Sequence, residues 1–270
     1  MRRSTLTILI AAAVASASLA QGKVPPPKDD AEVPELIKTL KKVVKTKKGV
    51  RDGEGQQILD KLSSRWKKLN AKQQKAVTKA IAGCFKAKRK PDQVLLYRAA
   101  GEALSHFGSG GPKALAMVVE DRRFRNQKEW VVFRALMIRF LGRPAVTTDR
   151  IPKLLMGLCV KDNDDQARAK AGEALGDYHK SKQEVRKGIV KALVKGLEEC
   201  WAESKANLDT GDLNRAVWAK RWAVIQDPWM KSLKRLTGQS FKEVRPWVKW
   251  WNKNKNRNWD KPKRAKPRPR

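Results

Sequence analysis

Two histidines, His106 and His179, and three cysteines, Cys84, Cys159 and Cys200, are the residues of this chain that ligate soft metals or become nucleophilic near neutral pH. Their spacing assembles neither chemistry. A zinc site draws on ligands a few residues apart, and the chain has no His-x3-His, no Cys pair and no carboxylates clustered at ligand spacing. Each histidine follows the small-residue face of a helix near a turn, which suits a structural role. Each cysteine falls on an apolar helical face and reads as core filling. An odd number leaves at least one thiol unpaired in an oxidising compartment, and a Cys159–Cys200 disulfide stays open. Neither Gly-x-Ser-x-Gly nor a Walker loop occurs, and Gly108-Ser109-Gly110-Gly111 before Pro112 reads as an interhelix turn. These residues point to a non-enzymatic protein with no catalytic residue, cofactor, metal ligand or small-molecule substrate.

The chemistry that remains is cationic. Lys and Arg number 61 against 27 Asp and Glu, a formal net charge of +34. Self-repulsion of that size is offset by solubility or by attraction to a polyanion, whether nucleic acid, anionic lipid or acidic polysaccharide; a proteome basic throughout would leave the same mark. The end of the chain concentrates it: Lys253, Lys255, Arg257, Lys261, Lys263, Arg264, Lys266, Arg268 and Arg270 stand against Asp260 alone. With Pro262, Pro267 and Pro269 among them, residues 253–270 are expected to be a disordered basic tail, either a salt-sensitive attachment to phosphate or carboxylate or a solubilising end. Eight of the ten tryptophans fall from Trp201 onward. Trp247, Trp250 and Trp251 share one helical face, which either covers the open end of a helical stack or, with Lys249 and Lys253 interleaved, offers a stacking platform.

The elements that would position these groups are helices. Met1-Arg2-Arg3, the apolar run Leu6 to Ala15 and the small residues Ser18 and Ala20 form a secretory signal over residues 1–20, so the mature protein is expected in the periplasm, cell envelope or medium. Residues 21–33, with Pro25-Pro26-Pro27, make a polar linker. Pro34 then suits a first helical position, and Leu36, Ile37, Leu40, Val43 and Val44 follow with helical period. Asn70 with Gln73, and Ser181 with Glu184, are capping-box pairs. Further helices are expected over about 92–107, from Pro112, and over 128–141, 149–160 and 166–178. One from Leu213 should be turned by Asp227-Pro228-Trp229 before a short helix closing at Gly238. No later segment has the 18 or more apolar residues of a membrane span, and none alternates with period two.

Repetition orders these helices. Ala-Gly-Glu-Ala-Leu stands at 100–104 and again at 171–175, and Phe140-Leu141-Gly142 lies midway. Leu104, Leu141 and Leu175 are therefore equivalent, and a unit of about 35 residues is one helix pair, which buries its apolar face only by stacking on the next.

Asp162-x-Asp164-x-x-Ala167-Arg168 followed by Ala171-Gly172-Glu173-Ala174-Leu175-Gly176 resembles the HEAT-repeat pattern over about residues 92–200, and more weakly over 34–91. The resemblance implies an α-solenoid in which the Asp and Arg tie neighbouring loops, with Arg98 and Arg134 as counterparts of Arg168. Leu236-Thr237-Gly238-Gln239 before the Trp-rich helix is similar to the ending of exported bacterial HEAT-repeat proteins of unassigned activity. The expected layout is HEAT-like repeats over 34–205, a Trp-rich helical cap over 206–252 and the basic tail. The partner expected from it is another envelope protein, or else a polyanion.

Overall fold

A computed structural model describes residues 29–108, 110–125, 127–143, 150–205 and 213–260. The expected signal segment, most of the linker, and Lys261, Lys263, Arg264, Lys266, Arg268 and Arg270 lie outside them. Among the described residues the protein is all helical, with no strand.

The helices are α1 (Glu32–Lys45), α2 (Asp52–Arg65), α3 (Ala71–Ala82), α4 (Leu95–Ser105), α5 (Gly110–Glu120) and the short α6 (Arg122–Arg125). They continue as α7 (Val131–Phe140), α8 (Arg150–Lys161), α9 (Asp165–Leu175), α10 (Gln183–Lys205), α11 (Leu213–Thr237) and α12 (Val244–Asn254). Two series of neighbours run through the fold. In one, α2, α4, α7, α9 and α11 adjoin in that order; in the other, α1, α3, α5, α8, α10 and α12 do so. Cross-contacts such as α1 with α2, α4 with α5, α8 with α9 and α10 with α11 join the two. One hydrophobic cluster extends from Val33 to Trp247 between them.

Glycine explains why the pentapeptide recurs. A Cβ on Gly101 of α4 would lie 2.5 Å from the sulfur of Met137 in α7, and one on Gly172 of α9 would lie 2.1 Å from the ring of Trp229 in α11. Each glycine is thus the seat of a bulky side chain from the next helix of the same series. That seat also overturns the expected turn at Asp227-Pro228-Trp229, because α11 runs unbroken through Pro228. An interior proline costs a helix roughly 3 kcal/mol, and the contacts of Trp229 offset it. Trp229 is buried, donates its indole N–H to the carbonyl of Arg168 at 3.1 Å and also presses on Gly196 of α10.

Other boundaries shift for local reasons. Helix α1 starts at Glu32, so Pro34 sits inside its first turn, where its missing N–H is still without cost. Asn70 caps α3 by accepting the N–H of Gln73, but the Gln73 side chain closes no box; it exchanges hydrogen bonds with the backbone of Asp30 at 3.1 and 2.8 Å. Helix α10 starts at Gln183, and Ser181 instead offers its carbonyl to Arg186. Helix α6 is held by Phe124, whose ring lies 4.9 to 5.8 Å from those of Phe133, Trp130 and Tyr97.

Buried arginines tie the turns. Arg89 pairs with Asp52 at 2.7 Å and donates to the carbonyls of Thr46 and Val43 at the end of α1. Arg134 pairs with Asp162 at 2.6 Å and donates to the Val119 carbonyl near the end of α5. Burial raises the pKa of Asp162, yet the bonds from Arg134 hold the carboxyl below its ordinary range. Arg168 donates to the Asp162 carbonyl at 2.5 Å. Arg98 does not share this position. Tyr97 stands seven residues before Leu104, as Arg134 does before Leu141 and Arg168 before Leu175, and it donates its hydroxyl to Ala87.

Replacing Gly172 by Ala should destabilise the fold by roughly 1–3 kcal/mol through overpacking against the wedged Trp229. Gly157→Ala in α8, where a Cβ meets nothing within 4 Å, should add up to about 1 kcal/mol. Thermal melts of the two variants read the opposite signs. Arg134→Met, which strands Asp162 as a buried charge, should cost roughly 3–5 kcal/mol in urea unfolding.

Candidate functional site

Successive helices of the first series present one face each, and together these faces line a groove. Its first part is a cavity of 500 Å³ bounded by Val94 and Arg98 of the α4 approach and by Val132, Leu136 and Arg139 of α7. A second, of 760 Å³, lies between the turn around Lys128, the acidic turn Asp162 to Asp165, and Lys220 and Val224 of α11. A third, of 530 Å³, lies between Lys170 and Glu173 of α9 and Pro228, Lys231 and Arg235 of α11. Gln166 borders all three, so the cavities meet around the start of α9.

The groove's acids are mostly committed. Glu173 accepts from Arg139 at 2.9 Å and from Lys170 at 2.7 Å, and Asp177, outside the lining, holds the lining residues Arg139 and Arg235 at 2.5 and 2.6 Å. Asp165 binds Arg221 at 2.6 Å, and Asp164 caps α9 by accepting the N–H groups of Gln166 and Ala167. Burial raises the pKa of Glu173, but the Lys170 and Arg139 bonds more than compensate and leave it below the usual carboxylate range. A carboxylate held this way is a fixed acceptor, not a proton donor at neutral pH. The groove's cations are less committed: Arg98, Lys128, Lys220 and Lys231 form no salt bridge among the described residues.

A second surface lies on the other series. Lys41, Lys75, Lys113, Lys153, Lys191 and Lys249, one each from α1, α3, α5, α8, α10 and α12, are all exposed and are in no ion pair among the described residues. Each helix of this series therefore carries at least one exposed lysine with no ion-pair partner among the described residues.

Of the tail residues expected to bind polyanions, Lys253, Lys255 and Arg257 are described. All three are exposed, Lys253 in the last turn of α12 and the others just beyond it. The described residues run to Asp260, into the segment expected as tail. Trp259 receives Lys187 and Arg186 over its ring at 5.7 and 5.9 Å and donates its backbone N–H to Gln183 at 2.7 Å, which pins it to the start of α10. Trp250 and Trp251 pack on Trp259, and Trp247 is fully buried against Phe241. The tryptophan faces are thus turned on one another and on α10.

His106 follows α4 as an exposed residue, and His179 sits in the turn after α9 with its buried Nδ1 unpartnered. No group of three or more His, Cys, Asp or Glu among the described residues is placed to hold a metal ion. The three cysteines are unpaired and buried. Lys128, Lys220 and Lys231 come from segments far apart in the chain, with no local pattern to mark them, and Arg98 stands out in the sequence only as an expected loop tie.

No protein-family model matches this chain, and neither does any curated protein or solved structure.

Burial pushes the Cys84 thiol up to about 12 and the Cys200 thiol up to about 11, and raises Cys159 as well. A neutral-pH thiol reagent should therefore leave the native protein unlabelled and modify all three cysteines once the chain is unfolded in denaturant, with mass spectrometry as the readout.

Proposed function

We propose that this chain is a non-enzymatic, exported HEAT-repeat scaffold that mediates protein–protein interaction in the periplasm or cell envelope. The observation that carries this reading is the groove, an open depression lined in turn by side chains of α4, α7, α9 and α11, with carboxylates tied down and cations left free. The two ordered series of adjoining helices support a right-handed α-solenoid of helix pairs, whose inner row would carry that groove. The spacing of Leu104, Leu141 and Leu175 and the arginine ties at Arg134 and Arg168 fit the HEAT resemblance. Export rests on the charged and apolar pattern of residues 1–20. Among the described residues no helix is long and apolar enough to cross a membrane.

A second reading rests on a separate observation. The exposed lysines of the other series, and the basic composition of residues 253–270, suit a polyanion such as nucleic acid, anionic lipid or acidic polysaccharide, held by charge rather than shape.

Affinity capture from envelope extracts at low and at physiological salt separates the two. Capture of one envelope protein that survives the higher salt and the deletion of residues 253–270 is the outcome expected of the scaffold. Binding that falls by orders of magnitude with salt and drops on that deletion would instead establish the polyanion reading. N-terminal sequencing of the exported protein should find Gln21 as the first residue.

A further inference from the structure

Resting on the scaffold reading, we propose that the groove takes an acidic segment of a partner protein and that the cavity between α4 and α7 seats an apolar side chain of that segment. The seat is unusual for a chain this charged. Val132, at the start of α7, is 83 % exposed, and Leu95, at the start of α4, is 46 % exposed. Val132, with Val94, Phe133 and Leu136, lines 500 Å³ of open space, within the range of small binding cavities. An apolar centre with a polar rim is the usual anatomy of a protein interface, where one buried anchor carries much of the affinity.

The rim decides the charge of the occupant. Lining acids are satisfied within the protein: Glu173 by Lys170 and Arg139, Asp165 by Arg221, Asp162 by Arg134 and Asp164 by the α9 N-terminus. Arg98, Lys128, Lys220 and Lys231 have no such partner among the described residues, and Glu129 is the acid left to oppose them. A segment with carboxylates on either side of one aliphatic or aromatic residue would fill the cavity and neutralise that surplus. A sulfated glycan or a nucleic acid backbone has nothing for Val132 and Leu136 to bury, and the exposed lysines of the other series, Lys75 among them, already offer such polymers charge.

The test uses the full chain and three probes. One is a fluorescent peptide of Glu and Asp with Leu at every fourth position; the second is the same peptide with Ser replacing Leu; the third is heparin as competitor. The variants are Val132→Ser, which removes the apolar seat without changing charge, Arg98→Gln, and Lys75→Glu on the opposite series. All three positions are exposed, and thermal melts matching wild type confirm their fold. The Leu peptide should bind about tenfold tighter than the Ser peptide, because burying a single such side chain is worth that ratio. Val132→Ser should abolish the difference, Arg98→Gln should weaken both peptides several-fold, and Lys75→Glu should change neither. Equal affinity for the two peptides, indifference to Val132→Ser, no binding of either peptide, or displacement by heparin that Lys75→Glu weakens equally would overturn the proposal. An envelope protein whose capture survives Val132→Ser would overturn this seat while leaving the scaffold reading intact; loss of that capture in the same variant supports both.

Discussion

A helix packed on two sides must still satisfy its last four carbonyls, and in this protein arginine side chains do so at one helix end after another. Arg89 reaches the end of α1, Arg123 the Phe85 carbonyl beyond α3, Arg134 the end of α5 and Arg168 the Asp162 carbonyl beyond α8. These are successive helices of one series, and three of the arginines lie on or just before α4, α7 and α9 of the other. Hydrogen bonds from charged donors contribute roughly 1.5–3 kcal/mol each, and each guanidinium also matches the negative end of the helix it caps. The two series are therefore locked in register by a repeated polar contact, with the apolar cluster filling the space between.

That contact has a consequence for the surface. Buried arginines need counter-ions, and Asp52 and Asp162 supply them inside the fold. Asp165, Glu173 and Asp177 are drawn into similar bridges where α9 meets α7 and α11. Each such tie removes one cation with one carboxylate, so the surplus of 61 Lys and Arg over 27 Asp and Glu stays on the exterior while few acids remain there to oppose it. The groove joins its unpaired cations to the apolar side chains of Val94, Val132 and Leu136.

The sequence showed the all-helical fold and most element positions, because helical periodicity and the recurring Leu104, Leu141 and Leu175 are local patterns. Its failures are long-range. Nothing near Pro228 announces that α11 continues through it; the reason is Trp229 seated on Gly172, far back in the chain. Arg98 looked like a tie because it is an arginine in a helix's first turn, but the helix rotates it outward, and Tyr97 takes the buried place. Helix α6 is four residues long and carries no period, so only the aromatic cluster around Phe124 makes it visible. For the groove, Arg98, Asp162, Asp164, Glu173 and Pro228 stand in sequence motifs, but none of those motifs marks a groove, since its lining is assembled from separate helices.

The pentapeptide recurs after 71 residues rather than about 35, and packing gives the reason. Along the first series the contacts alternate in size: Gly101 of α4 receives Met137 and Phe140 of α7, α7 leans on the alanine-rich α9, and Gly172 of α9 receives Trp229 of α11. Helices at a fixed spacing can interdigitate only if large side chains meet small ones. A small-residue helix beside another would leave voids, and a bulky one beside another would force them apart. The position in α7 equivalent to Gly101 and Gly172 is Ile138, which is buried and large. The structural unit is one helix pair, but the unit of side-chain volume is two, so the same five residues can return only at every second pair.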